Sequence, residues 1–395
     1  MLNEKMLSLG KKSSVIREIF EYGRKRKAEI GAENVYDFSL GNPSISAPDN
    51  LTQTLISLIN EKEPVSLHGY TSAPGDYETR KTISDYINDN FGVKAQPELI
   101  YMTCGAAASL TVSLNALINK GDEVIVLAPF FPEYRVFAEN AGANLVVVPC
   151  NIGDFSIDFY ALEKAITEKT KAIIVNSPNN PTGAVFTEEE IKRLSDLLNK
   201  KQNEFSNNIF IICDEPYREL VYSGVKVPYI PSFYNNTIVC YSFSKSMSIP
   251  GERIGYIFVS PSAFSAKDIF AAVCGAGRAL GFVCAPSLMQ YAVAKCIGKT
   301  SDISQYEENR NILYNGLKSM GFEAVVPQGA FYLFVKALEE DAYKFCEEAK
   351  KYELLLVPSD DFGVRGYVRI SYCVSRKQII DSMPSFKKLY DEYKR

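Results

Sequence analysis

The chain has 395 residues, of which 46% are hydrophobic and 23% charged, and its formal net charge is -4. This composition is typical of a globular protein with a sizeable core, and the small negative charge gives no indication of nucleic acid or an anionic membrane as a partner. The first residues lack the apolar run of a signal peptide, and no apolar run reaches the about 18 residues of a membrane span. The length suits one large domain with a smaller one, or two of similar size.

Cysteine and histidine usage narrows the chemistry further. The nine cysteines are odd in number and form no C-x-x-C pair, which predicts reduced, buried thiols in a cytoplasmic protein. His68 is the single histidine, so we expect neither a histidine-rich metal site nor a Ser-His-Asp triad. Any proton transfer would then fall to lysine, tyrosine or a carboxylate.

In chain order, an amphipathic helix is predicted over residues 12–30, followed by a turn at 38–43, a loop at 67–75 and a helix over 77–90. From residue 99 to about 260, apolar strands alternate with helices. The predicted strands are 99–103, 123–127, 144–148, 171–176, 208–213, 237–241 and 253–259, and the helices among them are 105–118, 133–140, 159–166 and 187–200. This alternation predicts an α/β fold with a mostly parallel, doubly wound sheet.

From about residue 286 the pattern changes to a smaller α+β domain. Helices are predicted over 286–297, 302–320 and 341–351 and from 376, and strands at 323–326, 331–335, 353–357 and 367–373. We therefore predict three parts: an amino-terminal arm with part of the small domain (1–45), a large domain (46–285), and a small carboxyl-terminal domain with its connecting helices (286–395).

Lys245 is predicted to lie in a loop just past the strand 237–241, among small hydroxyl residues and eight positions before Arg253. Open α/β sheets bind ligands at the carboxyl ends of their strands, and a lysine there can form an imine with a carbonyl compound. Ser242, Ser244 and Arg253 offer hydroxyls and a guanidinium to a phosphate. Taken alone, the motif also fits an ordinary solvated lysine.

Other polar residues also follow predicted strands. Asp214 ends a buried strand, where a carboxylate needs a partner such as a pyridinium nitrogen, and Tyr217 could donate to a phenolate oxygen on the same ring. Asn180 precedes a proline, which favours an extended backbone. The segment 105–107 opens a helix whose free N–H groups form an anion site, and Phe131 could stack on a flat ring. Each alone also fits a cap, a turn or a core aromatic.

Together these residues closely resemble the class I and II family of pyridoxal-phosphate-dependent aminotransferases, of fold type I, in the aspartate aminotransferase superfamily. The resemblance covers nearly the whole chain. Its most specific residues are Asp214-x-x-Tyr217, Ser242-x-Ser244-Lys245 and Gly251-x-Arg253-x-Gly255. It implies transfer of an amino group from an L-amino acid to a 2-oxo acid, with pyridoxal 5′-phosphate bound as a Schiff base to Lys245 and with residues 46–285 as the cofactor-binding domain.

The resemblance also implies a role for each matching residue. Lys245, Asp214 and Tyr217 would be catalytic, with Asp214 on the pyridine nitrogen, and Tyr217 and Asn180 on the 3-oxygen. The remaining cofactor contacts would be Gly105, Ala106, Ala107, Ser242, Ser244 and Arg253 on the phosphate, Phe131 on the ring face, and Tyr70 reaching the phosphate of a neighbouring subunit. That last contact implies a homodimer.

On the substrate side, the resemblance implies that Arg369, Gly41 and Asn180 hold the α-carboxylate. Arg369 alone also fits a solvated strand residue. Arg278 stands about where aspartate-preferring relatives carry a second arginine, or is a solvated helix residue. An apolar or aromatic side chain is favoured instead by Phe130, Phe131 and Phe282.

Three rival activities share most of these residues. Two are related enzymes with the same cofactor, a C–S β-lyase and an aminocyclopropane-carboxylate synthase. The third is a non-catalytic sensor, but such sensors carry a DNA-binding domain ahead of the aminotransferase-like part, and only 40 residues precede Gly41.

Overall fold

Strands and helices alternate through most of the protein. The computed structural model describes residues 2–11 and 14–394. The strands are β1 (Tyr36–Asp37), β2 (Ile100–Thr103), β3 (Glu123–Ala128), β4 (Asn144–Pro149), β5 (Thr170–Asn176), β6 (Phe210–Glu215), β7 (Thr237–Ser242), β8 (Gly255–Val259), β9 (Tyr332–Lys336), β10 (Leu354–Leu355), β11 (Val357–Pro358) and β12 (Tyr367–Ser371).

The α-helices account for most of the remaining described residues. They are α1 (Glu4–Lys11), α2 (Val15–Ile30), α3 (Asp49–Glu61), α4 (Pro64–His68), α5 (Tyr77–Phe91), α6 (Ala106–Leu117), α7 (Glu133–Ala141), α8 (Phe159–Ala165), α9 (Glu188–Phe205), α10 (Phe243–Ser246), α11 (Ala266–Leu280), α12 (Ser287–Lys295), α13 (Ile303–Met320), α14 (Ala342–Lys350) and α15 (Arg376–Tyr393). None of the described helices is long and apolar enough to cross a membrane.

A seven-stranded sheet forms the centre of the larger part, in the order β2-β8-β7-β6-β5-β3-β4. All its strands are parallel except β8, which runs antiparallel to both β2 and β7. The predicted α/β class with a mostly parallel sheet is therefore confirmed. In the ladder, Asn176 at the end of β5 pairs with Asp214 near the end of β6, so polar residues from neighbouring strands meet at one edge.

Helices cover both faces of this sheet, and the strands are buried because of it. Every position of β6 and β7 is buried, as expected for strands covered on both sides. Side chains alternate between two cores: Ile211 and Cys213 pack with α5, α9 and α12, whereas Ile212 and Cys240 pack with α6, α7 and α11. The two-residue period of the strands thus fills both layers.

Most predicted elements are confirmed, with ends displaced by a few residues, and the capping box at Thr187 and Glu190 is present. The predicted strand at 323–326 is wrong, because only a single bridge joins Ala324 to Val335. The predicted strand 353–357 divides into β10 and β11. The strand predicted from residue 253 begins at Gly255, since Arg253 has a left-handed φ of 52°. The predicted helix 12–30 begins at Val15; its residues 12 and 13 lie outside the described part of the chain.

A smaller antiparallel sheet, β11-β12-β9, lies apart from the large one, and β1 pairs in parallel with β10. Helices α13 and α15 pack around this region, which has its own apolar core. The pairing of β1 brings the segment after α2 next to the carboxyl-terminal part of the chain. The division at residues 45 and 285 remains a prediction.

Candidate active site

One cavity of about 270 Å³ opens at the carboxyl edge of the large sheet. Twelve of the predicted site residues line it: Gly41, Ala106, Ala107, Phe131, Asn180, Asp214, Tyr217, Ser242, Ser244, Lys245, Arg253 and Arg369. They come from both sheets and from the segment after β1. The structure therefore brings together residues that lie up to 328 positions apart in the sequence, from Gly41 to Arg369.

Lys245 stands on the one-turn helix α10 rather than in the predicted loop. The Ser242 hydroxyl caps this turn by accepting a hydrogen bond from the Ser244 N–H at 3.2 Å. The Lys245 side chain is partly exposed, to the cavity that it lines, and Nζ donates to the carbonyl of Gly41 at 2.7 Å. Burial within the protein lowers the pKa of the Lys245 amine to about 8, and the charges of Arg253 and Arg369 act in the same direction. About a tenth of this amine is therefore unprotonated at pH 7, far more than for an ordinary lysine.

Asp214 is the next-to-last residue of β6 and is buried. Its Oδ2 accepts a hydrogen bond of 2.5 Å from the Tyr134 hydroxyl, whereas Oδ1 has no partner among the described residues. Burial raises the pKa of Asp214 to about 7, and the bond from Tyr134 opposes this rise. A cationic donor at Oδ1 would restore the charged form. Tyr134 is not predicted from the sequence, although it lies only three residues after Phe131.

The groups predicted to bind phosphate surround the start of α6. Gly105 caps this helix with a φ of 85°, and Ala106 and Ala107 open it at the cavity wall. This positive φ favours glycine, and an added Cβ would lie 2.8 Å from Nη2 of Arg253, so the guanidinium would have to shift. Arg253 Nη1 donates to Ser244 Oγ at 3.4 Å. Free helix N–H groups, hydroxyls and a guanidinium together favour an anion.

Arg369, on β12 of the small sheet, is a buried cation that also lines the cavity. It is 2% exposed, and its Nη1 and Nη2 donate to Asn180 Oδ1 at 3.1 Å and to the Ser39 carbonyl at 2.6 Å. Its Nε has no partner among the described residues, and no described carboxylate forms an ion pair with it. Burial lowers the pKa of this guanidinium, so an incoming carboxylate would relieve a desolvated charge.

Several predicted residues do not line the cavity. Gly105 lies behind its wall, against Arg253. The Tyr70 side chain is 97% exposed at the surface, and Arg278 is exposed at the end of α11. Phe130 is buried in the core, and Phe282 is partly buried against that core. Neither residue lines the cavity, so these two residues do not support the predicted preference for an apolar substrate.

Other lining residues carry no motif and are not predicted from the sequence. Asn176 ends β5. The strand-end rule, that open α/β sheets bind ligands at the carboxyl ends of their strands, pointed to Asp214 and would also have pointed to Asn176. Tyr332, on β9, contributes a phenol, and Ile16 and Leu40 contribute apolar surface. These last three come from segments whose approach to the large sheet only the tertiary structure shows.

The fold and the cavity together fit a class of enzyme that uses pyridoxal phosphate. A lysine amine, a buried carboxylate oxygen with no partner in the described part of the chain, and groups suited to an anion share the carboxyl edge of a doubly wound sheet. Comparison with known proteins agrees. The family described as aminotransferase class I and II matches residues 32–381, and the chain belongs to this family.

Individual relatives and structures match nearly the whole chain. The crystal structure of an aminotransferase from Eubacterium rectale is 54% identical, with a TM-score of 0.98 and complete coverage of both chains. The aspartate aminotransferase of Thermotoga maritima is 30% identical over 93% of this chain and 95% of its own. Aromatic-amino-acid aminotransferase 2 of Thermococcus litoralis is 28% identical over 96% of each. The predicted family is confirmed: the protein is a transaminase that depends on pyridoxal 5′-phosphate.

Proposed function

We propose that the protein moves an amino group from an L-amino acid to a 2-oxo acid in the cavity lined by Lys245, with that lysine holding the cofactor covalently. One observation supports this most strongly. The Lys245 amine, with its pKa lowered to about 8, shares the cavity with Asp214, whose buried Oδ1 has no partner among the described residues. An aldehyde on a ring with a protonated nitrogen would satisfy both groups.

The chemistry of the lining fits each part of pyridoxal phosphate. The amides that open α6, with Ser242, Ser244 and Arg253, would hold the phosphate. Asp214 would face the ring nitrogen, and the side chains of Tyr217 and Asn180 would donate to the 3-oxygen. Phe131 would cover one face of the ring.

When bound, the cofactor supplies an electron sink that makes the α-proton of an amino acid removable. The protein residues do the rest. Arg369 would bind the α-carboxylate through its two-pronged guanidinium, which orients the substrate. Lys245 Nζ would accept the α-proton, a task that suits an amine with a pKa near ambient pH. Asp214 would stabilise positive charge on the ring nitrogen throughout.

The lining of the cavity favours an apolar substrate side chain. Among the described lining residues the cations are Lys245, Arg253 and Arg369, and each is already assigned to the cofactor or to the α-carboxylate. Ile16 and Leu40 add apolar surface beside Phe131. We therefore propose donors such as leucine or phenylalanine rather than aspartate, with Arg278 as a solvated residue.

Steady-state assays with a panel of amino donors and 2-oxoglutarate test this function. We expect kcat/KM for leucine or phenylalanine to exceed that for aspartate at least about tenfold. Without an oxo acid, each donor should yield at most one equivalent of its 2-oxo acid and no ammonia, because the amino group stays on the cofactor. Continuous release of pyruvate and ammonia from an amino acid with a β-sulfur, such as cysteine, would identify a lyase. A preference for aspartate that Arg278→Ala removes would overturn the apolar assignment and leave transamination intact.

We further propose that the protein is a homodimer with shared active sites. Apolar side chains on α3, on α4 and in the loop after them are exposed, namely Ile56, Ile59, Val65 and Tyr70. A second copy would cover them and bring Tyr70 to the partner's phosphate. Light scattering should give twice the 44.0 kDa chain mass; a monomer that is fully active would contradict the proposal. A cytoplasmic location is proposed because all nine cysteines are free.

A further inference from the structure

Tyr332 lies between the residues proposed to bind the cofactor and those proposed to bind the substrate. Its hydroxyl is 3.0 Å from the hydroxyl of Tyr217, and both side chains are buried. An added Cβ at Gly41 would lie 2.0 Å from the Tyr332 Oη, so the hydroxyl packs directly against that backbone. The carbonyl of the same glycine accepts the bond from Lys245. The Tyr332 phenol is therefore held in place on two sides.

The ring of Tyr332 makes a second contact. The guanidinium carbon of Arg369 stands 4.6 Å from the ring centroid, in the geometry of a cation–π interaction. The two residues lie on neighbouring strands β9 and β12 of the small sheet, where Tyr332 pairs with Ser371. One side chain thus contacts Tyr217 through its hydroxyl and Arg369 through its ring.

A bound cofactor would determine which of the two hydroxyls, that of Tyr217 or that of Tyr332, donates the hydrogen bond between them. A tyrosine hydroxyl has one proton to donate, and either oxygen of this pair can be the donor. If Tyr217 donates to the 3-oxygen of the ring, its proton is used, and the contact with Tyr332 persists only if Tyr332 donates. Charge-assisted bonds to an anionic oxygen are stronger than neutral ones, so this orientation is favoured.

We propose that Tyr332 is a positioning residue with two separable actions. Its hydroxyl donates to Tyr217 and so directs the Tyr217 proton at the 3-oxygen of the bound cofactor. Its ring supports the Arg369 guanidinium that binds the substrate carboxylate. This inference rests on the proposed function, because it requires the cofactor in the Lys245 cavity.

A second tyrosine pair offers a matched control. The hydroxyls of Tyr222 and Tyr372 also lie 3.0 Å apart and are also buried, but neither residue lines the cavity. Tyr332→Phe and Tyr372→Phe therefore remove the same group from the same kind of pair. Only the first should affect the cofactor.

The experiment is a pH titration of the absorbance of the bound cofactor, with its dissociation constant measured alongside. We expect Tyr332→Phe to raise the midpoint by about 0.5 to 1 pH unit, because the 3-oxygen loses part of its donor. KM for the amino donor should stay unchanged, since the ring remains. Tyr332→Leu should in addition raise that KM several-fold. Tyr372→Phe should leave the midpoint unchanged.

A double variant decides whether Tyr332 acts through Tyr217. In a Tyr217→Phe background, Tyr332→Phe should shift the midpoint no further. An equal shift in both backgrounds, no shift in the single variant, or an equal shift from Tyr372→Phe would overturn the proposal. A wild-type protein with no titratable cofactor absorbance would instead contradict the proposed function itself.

Discussion

Replacing Lys245 with alanine should lower kcat for transamination by at least about 10⁴-fold. The variant loses both the amine that would hold the cofactor and the base that would take the α-proton. Because the groups proposed to hold the phosphate around α6 are untouched, we expect the variant to bind the cofactor without a covalent link. Borohydride reduction followed by mass spectrometry measures this directly: the wild-type chain should gain the mass of the cofactor at Lys245, and the variant should not.

Lys226→Ala is the control for this change. Lys226 is an exposed lysine outside the cavity lining, so its loss should leave both rate and labelling unchanged. Transamination at the wild-type rate by the Lys245 variant, or labelling of another lysine in the wild-type chain, would show that the covalent assignment is wrong.

The strand-end rule predicted much of this cavity from sequence because it needs only local information. Each of Asn180, Asp214 and Lys245 follows an apolar run, and the carboxyl ends of parallel strands meet at one edge. Their proximity was therefore predictable without knowing how the helices pack. The family resemblance then added Gly41 and Arg369, which the rule alone could not connect with that edge.

Residues that the sequence did not reveal reach the cavity by tertiary packing. Tyr332 enters from the small sheet, 115 positions after the Tyr217 hydroxyl that it contacts. Tyr134 donates to the Asp214 carboxylate from helix α7. In the sequence it cannot be distinguished from an ordinary helix residue. The helix α11 was likewise not predicted, because Gly275 and Gly277 weaken its helical pattern. A Cβ added at Gly277 would lie 2.3 Å from the Tyr101 hydroxyl, so the helix can pack against Tyr101 only with glycine at this position.

The two sides of the cavity differ in how they are held. The proposed cofactor side stands on β5, β6 and β7, whose positions are fixed by a continuous ladder of the large sheet. On the proposed substrate side, Arg369 is held by its bonds to Ser39 and Asn180, which come from two different segments. Arg369 Nη1 thus donates to Asn180, a residue also proposed to contact the cofactor. A substrate carboxylate that displaces this bond would therefore also change the proposed contact between Asn180 and the cofactor.

Asp214→Ala should lower kcat by about 10²- to 10³-fold, the usual cost of losing one preorganised electrostatic contact in a transition state. The ring nitrogen would lose the carboxylate that keeps it protonated, so the cofactor would accept electrons less well. Single-turnover measurement of the first half-reaction, with amino donor alone, isolates this step from product release. A variant that stays within tenfold of the wild-type rate would contradict the assignment.

Glu215→Gln is the sharp control, because Glu215 is a buried carboxylate adjacent to Asp214 on the same strand. It is paired with Arg218 at 2.5 Å, so breaking the pair should cost about 3–5 kcal/mol of stability but leave the rate of the folded enzyme near wild type.

Tyr134→Phe should lower the rate by less than Asp214→Ala and by more than Glu215→Gln. Without the Tyr134 donor the pKa of Asp214 rises further, so less of the carboxylate is charged at neutral pH, and the acidic limb of the rate profile should move to higher pH. Equal losses of rate in all three variants would indicate a general structural effect rather than a specific contact with the ring.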